Sequence, residues 1–238
     1  MRKAVIVAAG MSSRLYPLTL TKPKGLLTLN DETLLGRSIS LLKKYGITDI
    51  ALVVGYKQEL MRNQFGSHVS YIENIQYEST NNMFSLNLAQ SFVGNDEFIY
   101  LHGDIAYEEE ILARFLEGYK QSTHDMELLV DYGDVDEEAM KVKVTNNQWL
   151  VESHKEIALE ESAGEWTGIA CIRRGELLFS EIDKIIALGN INSYDTLAFT
   201  NAVAKGYNIY CRSTVSKKWI EIDFLSDYEK AKGMFANE

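Results

Sequence analysis

Five charged side chains stand where chemistry is possible: Arg14, Lys24, Asp104, Glu221 and Asp223. The first follows Val5-Ile6-Val7-Ala8-Ala9-Gly10, an apolar run that ends in small residues. Such a run reads as a buried parallel strand feeding a loop. Ala8, Ala9 and Gly10 put little side chain between the main chain and a ligand. Backbone N–H groups in a loop of this kind form an anion-binding concavity. Arg14, and Lys24 behind Pro23, add cationic charge that backbone alone cannot supply. The pattern is that of a triphosphate cradle. It is not the G-x-G-x-x-G dinucleotide fingerprint, and no Gly-Lys-Ser/Thr makes it a Walker A loop.

The carboxylates suit a metal. Asp104 follows the apolar run Phe98 to Leu101 and the pair His102-Gly103. At a strand end near phosphates it is a hard oxygen ligand for Mg²⁺; it can equally cap a helix opening near Tyr107. In Trp219-Ile220-Glu221-Ile222-Asp223 apolar and acidic residues alternate, so both acids share a face. His68, His102, His124 and His154 are dispersed, and His102 alone adjoins a candidate site. Cys171 and Cys211 lie in apolar stretches and read as buried thiols.

These groups need elements to hold them. Strands are expected at Lys3 to Ala8, Ile50 to Val54, Phe98 to Leu101 and Met126 to Tyr132, and helices at Leu34 to Lys44, Asn82 to Phe92 and Glu108 to Tyr119. After Tyr132, Met140 to Thr145 and Gln148 to Ser153 alternate about Asn146-Asn147, a hairpin signal. Further strands are expected at Gly168 to Ile172, Tyr207 to Arg212 and Trp219 to Ile222, with a helix from Asp195 to Lys205. Ser226 and Glu229 are spaced as a capping box for a last helix to Phe235. Repeated strand–helix units predict an α/β fold, a mostly parallel mixed sheet with helices on both faces. Ligands bind beyond the carboxyl ends of such strands, so Ala8 to Arg14, Gly55 and Asp104 should meet at one edge.

The 238 residues suffice for one α/β domain. Residues 1–132 are expected to form a nucleotide-binding core, 133–220 a small β-rich acceptor-binding region, and 221–238 the metal-ligand segment and C-terminal helix. Two cysteines and no secretory pattern point to a reducing cytoplasm. No apolar run is long enough to span a bilayer. A net charge of −10 with scattered basic residues argues against nucleic acid as a partner. It also predicts that a divalent cation accompanies any triphosphate. A homodimer is compatible with all of this.

The N-terminal segment resembles the signature of nucleotidyltransferases that join an NTP to a phosphorylated small molecule, L-x-A-A-G-x-x-x-R-L-x-P-L-T-x-x-x-P-K-x-L-L. Every named position but the first is matched through Leu27. The resemblance implies that Arg14 meets the β- and γ-phosphates and Lys24 the α-phosphate. It also implies that Asp104, in a G-D segment, and Asp223, in E-I-D-x-x-x-D-Y, hold Mg²⁺. The implied Rossmann-like enzyme lets an acceptor phosphate oxygen attack the α-phosphorus while pyrophosphate leaves. A phosphate monoester is already anionic at neutral pH, so no general base is required. Lys24, Arg14 and Asp104 are therefore the candidate catalytic residues. Ala8, Ala9, Gly10, Asn81, Asn82, Ser85 and Gly103 join Arg14 and Lys24 as candidate nucleotide ligands.

Asn81-Asn82-Met83-Phe84-Ser85-Leu86 reads as helix-capping residues on propensity. It also resembles the N-N-x-x-S-L motif of bacterial phosphocholine cytidylyltransferases, which implies CTP. The Q-x-x-P-x-G-T segment of sugar nucleotidyltransferases is absent. The middle of the chain looks more like phosphonate- and sugar-phosphate-linked relatives. There Lys155, in an S-x-K segment, is the candidate for the acceptor phosphate, or is one more surface lysine. Glu165, Trp166 and Tyr132 are candidate acceptor ligands, with Tyr194, Trp219 and Asp131 available for a cationic head group. The expected activity is Mg²⁺-dependent transfer from CTP to phosphocholine or 2-aminoethylphosphonate. The alternatives are a sugar-1-phosphate nucleotidyltransferase using UTP or dTTP, and a silent nucleotide-binding regulatory domain. A silent domain would be expected to lose Lys24, Asp104 or Asp223, and all are present.

Overall fold

The computed structural model describes residues 1–236, so the last two positions of the expected 221–238 segment lie outside the described residues. In chain order the elements are β1 (Lys3–Ala8), β2 (Thr28–Leu29), β3 (Glu32–Thr33), α1 (Leu34–Lys44), β4 (Asp49–Val54), α2 (Gln58–Phe65), β5 (Ser70–Glu73), α3 (Asn82–Leu88), α4 (Gln90–Val93), β6 (Phe98–His102), β7 (Ile105–Tyr107), α5 (Glu109–Gln121) and β8 (Met126–Asp131). They continue with β9 (Lys141–Val144), β10 (Leu150–Ser153), β11 (Gly164–Ile172), α6 (Gly175–Ala187), α7 (Thr196–Ala204), β12 (Ile209–Ser213), β13 (Trp219–Glu221) and α8 (Leu225–Met234).

The main sheet is mixed, with a parallel heart. It runs β10-β9-β11-β6-β1-β4-β5, and β8 lies along β11 with β12 beyond it. β1 pairs in parallel with β4 and β6, β4 with β5, and β8 with β12. β11 runs antiparallel to β6, β8 and β9. Val7 stands level with both Val53 and His102, so the carboxyl ends of β4, β1 and β6 share one edge.

Helices cover both faces. On one, Met83 and Leu86 of α3, Leu178, Phe179 and Ile182 of α6, and Ala198 and Phe199 of α7 pack on Val5, Tyr100 and Leu128. On the other, Leu35, Ile39 and Leu42 of α1, Met61 and Phe65 of α2, and Ile111, Leu112 and Phe115 of α5 pack on Ala4, Ile6 and Leu52. Burial on both faces explains why β1 is continuously apolar rather than alternating. Each fully buried aliphatic side chain contributes about 1.5–3 kcal/mol relative to exposure. A third cluster joins Leu15, Leu27 and Leu29 to Ile220, Ile222 and the α8 residue Ala231. It fastens the C-terminal segment, and with it Asp223, beneath the N-terminal loop.

Local chemistry sets the boundaries. Thr33 caps α1 by accepting from the Gly36 N–H, and Gly46, at φ 81°, ends it. The hairpin does turn at Asn146-Asn147: the Gln148 N–H donates to the Thr145 carbonyl at 2.9 Å across them, and Gln148 follows in the left-handed region. Three expectations are corrected. The helix from Asn82 breaks at Ala89 into α3 and α4 instead of running to Phe92. β11 begins at Gly164 rather than Gly168, its register shifting between Trp166 and Ala170. The start of α8 is held by Asp227, whose Oδ2 accepts from the Asp223 and Phe224 N–H groups, and not by Ser226 with Glu229.

Candidate functional site

Three strand ends build the floor. Tyr56 N–H donates to the Ala9 carbonyl at 2.9 Å, and Gly103 N–H to that of Val7 at 2.9 Å. A Cβ at Gly103 would stand 2.8 Å from Ala8 Cβ and 2.9 Å from the Val7 oxygen, so β1 and the Gly103 turn close up only around a glycine. A Cβ at Gly10 would meet nothing, because the backbone there faces an open cleft of about 760 Å³. That volume is of the size that encloses small-molecule ligands. Ala8, Ala9, Gly10, Arg14, Lys24, Asn81, Asn82, Ser85, Gly103, Asp104, Lys155, Glu165, Trp166 and Asp223 all line it.

Charge concentrates at the loop's mouth. Lys24 Nζ lies 2.8 Å from Asp104 Oδ2 and 2.9 Å from Asp223 Oδ1, and Arg14 Nη1 lies 3.1 Å from Asp223 Oδ2. Burial alone would lower the Lys24 pKa, but Asp104, Asp223 and Glu221 outweigh it and hold the ammonium above the ordinary lysine range. Burial, then Asp104 and Asp223, pushes the Glu221 carboxyl up to about 7. Asp223 resists its own burial because Lys24 and Arg14 stabilise its charge, and its pKa falls. Asp104 is not the helix cap it could have been: α5 opens at Glu109 behind Glu108.

This donor set fits a hard divalent cation. Asp104 Oδ1 is buried with no hydrogen-bond partner. His102, Asp104 and Glu221 offer ligand atoms within 4.8 Å of one another, with Asp223 beside them on Lys24. Crowded carboxylates with an unmet oxygen are what Mg²⁺ coordination satisfies.

Asn81 caps α3, its Oδ1 accepting from the Asn82 N–H. Ser85 is buried and receives a hydrogen bond from Asn74. Behind Asn82 lies a group that sequence reasoning missed. Asp195, fully buried, holds Tyr100 and His102. Expected only as the first residue of a helix, it instead caps that helix, its Oδ1 accepting from the Thr196 N–H. The available signal lay in β6, where Tyr100 and His102 alternate onto a buried face and need a polar partner.

The far wall is acidic. Asp131, Asp134, Asp136, Glu138 and Glu165 face the cleft with Tyr194 and Trp219. Burial, then Glu221, Asp136 and Asp131, pushes Glu165 up to about 7 against the opposing charge of Lys155. Lys155 Nζ stands 3.9 Å from Glu138 and 5.6 Å from the Tyr194 ring centre. Asp131 accepts from Trp219 Nε1 at 2.7 Å. Tyr132 is a correction: its hydroxyl donates to the Cys211 carbonyl and its ring packs on the core, away from the cleft. Trp166 reaches the cleft only at its edge, 3% exposed, with Nε1 spent on the Ile169 carbonyl. The one-residue step from Tyr132 to Asp131 along a strand exchanges faces, which is why the acid lines the site and the tyrosine does not.

Known proteins resemble this chain in sequence and fold. A family model described as a MobA-like NTP transferase domain matches residues 4–167. The choline-phosphate cytidylyltransferase of Streptococcus pneumoniae is 28% identical, with 99% of each chain covered. The CTP:phosphoglutamine cytidylyltransferase of Campylobacter jejuni is 26% identical, covering 95% of this chain and 97% of its own. Among solved structures, an inositol-1-phosphate CTP transferase from T. maritima has the same fold, with a TM-score of 0.83 at 22% identity over 100% of this chain and 97% of that one.

Proposed function

The chain belongs to the MobA-like NTP transferase domain family, and from that premise we propose that it transfers a cytidylyl group from CTP to a small phosphorylated acceptor bearing a positive amine. The observation that carries the transfer chemistry is Lys24, buried at the mouth of the Ala8–Gly10 loop and braced by Asp104 and Asp223. An ammonium held there meets the α-phosphate of a nucleotide whose triphosphate follows the loop. An acceptor phosphate oxygen forms a bond to the α-phosphorus. The bond to the bridging oxygen breaks, and its electron pair leaves with pyrophosphate. The chain must align two anions and steady developing charge. The loop N–H groups and Arg14 hold the outer phosphates, and Lys24 faces the five-coordinate phosphorus. Asp104 and Asp223 are the residues that would hold Mg²⁺, which supplies charge neutralisation to the triphosphate.

CTP is supported by the likeness of Asn81–Leu86 to the N-N-x-x-S-L motif and by the two cytidylyltransferase relatives. The acceptor is read from its wall. Five carboxylates with Tyr194 and Trp219 suit a cationic head group, and Lys155 suits the phosphate or phosphonate at its other end. A primary amine such as that of 2-aminoethylphosphonate uses acids more than aromatics, and here the acids dominate. Phosphocholine remains the second member of the same class. A sugar 1-phosphate would leave the acidic wall without a partner. The test crosses four NTPs with phosphocholine, 2-aminoethylphosphonate and a hexose 1-phosphate, reading pyrophosphate release. CTP with an amine-bearing acceptor should give the highest kcat/KM. A preference for a purine nucleotide, for dTTP, or for the hexose phosphate overturns the reading.

A further inference from the structure

Four groups converge on Asp195. Its Oδ1 accepts from the Thr196 N–H at 2.9 Å, and its Oδ2 accepts from the Tyr100 hydroxyl at 2.7 Å and faces His102 Nε2 at 2.9 Å. Its own N–H donates to Asn82 Oδ1 at 3.0 Å. An ionised carboxylate only accepts, so His102 Nε2 carries a hydrogen in either charge state of the ring. The Asn82 amide is fixed as firmly. A backbone N–H opposite one amide atom requires that atom to be oxygen, so the atom 3.1 Å from His102 Nε2 is Nδ2. Both partners of that short contact are donors. It is no hydrogen bond, and the Asn82 amide hydrogens are left for another acceptor. Asn82 lines the cleft.

We infer that Asp195 is a positioning residue that sets the hydrogen-bonding polarity of this wall: it makes Asn82 a donor, so the part of the nucleoside docked there is an acceptor, a pyrimidine carbonyl or ring nitrogen or a ribose oxygen. The inference rests on the reading that the Asn81–Ser85 segment meets the nucleotide. Asp195 touches no substrate and acts only through His102 and Asn82.

Two near-isosteric variants test it. Asp195→Asn keeps an oxygen for the Thr196 N–H and keeps its own N–H on Asn82. It places an NH₂ opposite His102, so the imidazole hydrogen moves to Nδ1 and Nε2 becomes an acceptor. The Asn82 amide is then drawn inward. CTP binding by calorimetry should weaken about tenfold, the worth of one hydrogen bond. Asn82→Asp turns the donor–donor contact into N–H···O⁻; its melting temperature should rise while CTP binding falls. Nitrogen-15 NMR of the His102 ring in the free protein should find Nε2 protonated in the parent and bare in Asp195→Asn. This measurement needs no nucleotide, so it separates failure of the polarity argument from failure of the CTP reading. Should the parent prefer another NTP, the CTP reading falls and the variants are compared on that nucleotide. Equal or tighter nucleotide binding by Asp195→Asn, a bare Nε2 in the parent, or a lowered melting temperature with unchanged affinity in Asn82→Asp overturns the inference.

Discussion

Lys24 and Arg14 share Asp223, yet their surroundings give them different work. The Lys24 side chain is 10% exposed between two carboxylates, while that of Arg14 is 50% exposed beside one. On the proposed reading, the buried, fixed ammonium follows charge that develops during reaction, and the exposed guanidinium holds outer phosphates alike in ground and transition states. Lys24→Ala should therefore cut kcat by at least about 10²-fold with a smaller effect on CTP affinity. Arg14→Ala should do more of the reverse. Calorimetry with CTP and single-turnover kinetics separate the two. A Lys24→Ala protein whose CTP affinity falls as far as its rate would place the lysine among the binding residues.

Glu165 gives a titration that needs no turnover. Its carboxyl is raised to about 7 from an ordinary value near 4.5 by burial and by Glu221, Asp136 and Asp131, with Lys155 opposing. A raised carboxyl means that the folded chain binds more protons than the unfolded one. That stability is fully present below about pH 4.5 and is lost as pH rises through about 7. Glu221 and His102 are raised as well and slope the same way. The melting temperature of the ligand-free protein should fall between pH 5 and pH 8, and Glu165→Gln should flatten the slope, as followed by calorimetric scanning in constant ionic strength. An unchanged slope in the variant would mean that Glu165 is ionised throughout that window.

At the scale of elements, the small residues do more than admit a ligand. Ala8 and Gly103 let β1 and the turn after β6 touch, which brings Asp104 to the loop. Gly103→Ala should cost about 1–3 kcal/mol through the Ala8 and Val7 contacts, with Asp104 displaced along with them. Urea denaturation reads the first effect and pyrophosphate release the second; full stability in the variant would show that the strand ends can part freely. The elements that carry the loop and Asp104 were legible because their patterns are local. Lys3–Ala8 and Leu34–Lys44 match residue for residue. Others were silent for physical reasons. α2 follows Lys57 in a left-handed conformation and buries only Met61 and Phe65, so it offers neither cap nor stripe. β5 is a four-residue edge strand without a fully buried position. α6 opens after Arg174 with no side-chain cap, and its apolar positions wrap widely round the helix. Asp195 and His102 met only through the sheet and α7, a pairing that no spacing along the chain encodes.

For the molecule as a whole, the net charge of −10 and the cleft point the same way. Nine side chains lining the cleft are carboxylates and four are basic. Such a field repels a free triphosphate at distances of about a Debye length, roughly 10 Å at 0.1 M salt. Arg14 and Lys24 attract phosphate only at contact range, where their own charges are already shared with Asp104 and Asp223. The long-range term governs encounter, and the short-range term governs residence. Without divalent cation, the association rate of CTP should therefore rise as salt goes from about 0.01 to 0.15 M, because screening weakens repulsion more than steering. With Mg²⁺ supplied, the ligand's charge falls and, on the proposed reading, the carboxylates become its partners, so the association rate should lose most of that dependence. Stopped-flow binding of a fluorescent CTP analogue across a salt series, with and without EDTA, measures both. An association rate that falls with salt in EDTA would mean that the basic residues steer the nucleotide unaided and that the acidic field does not reach the cleft mouth.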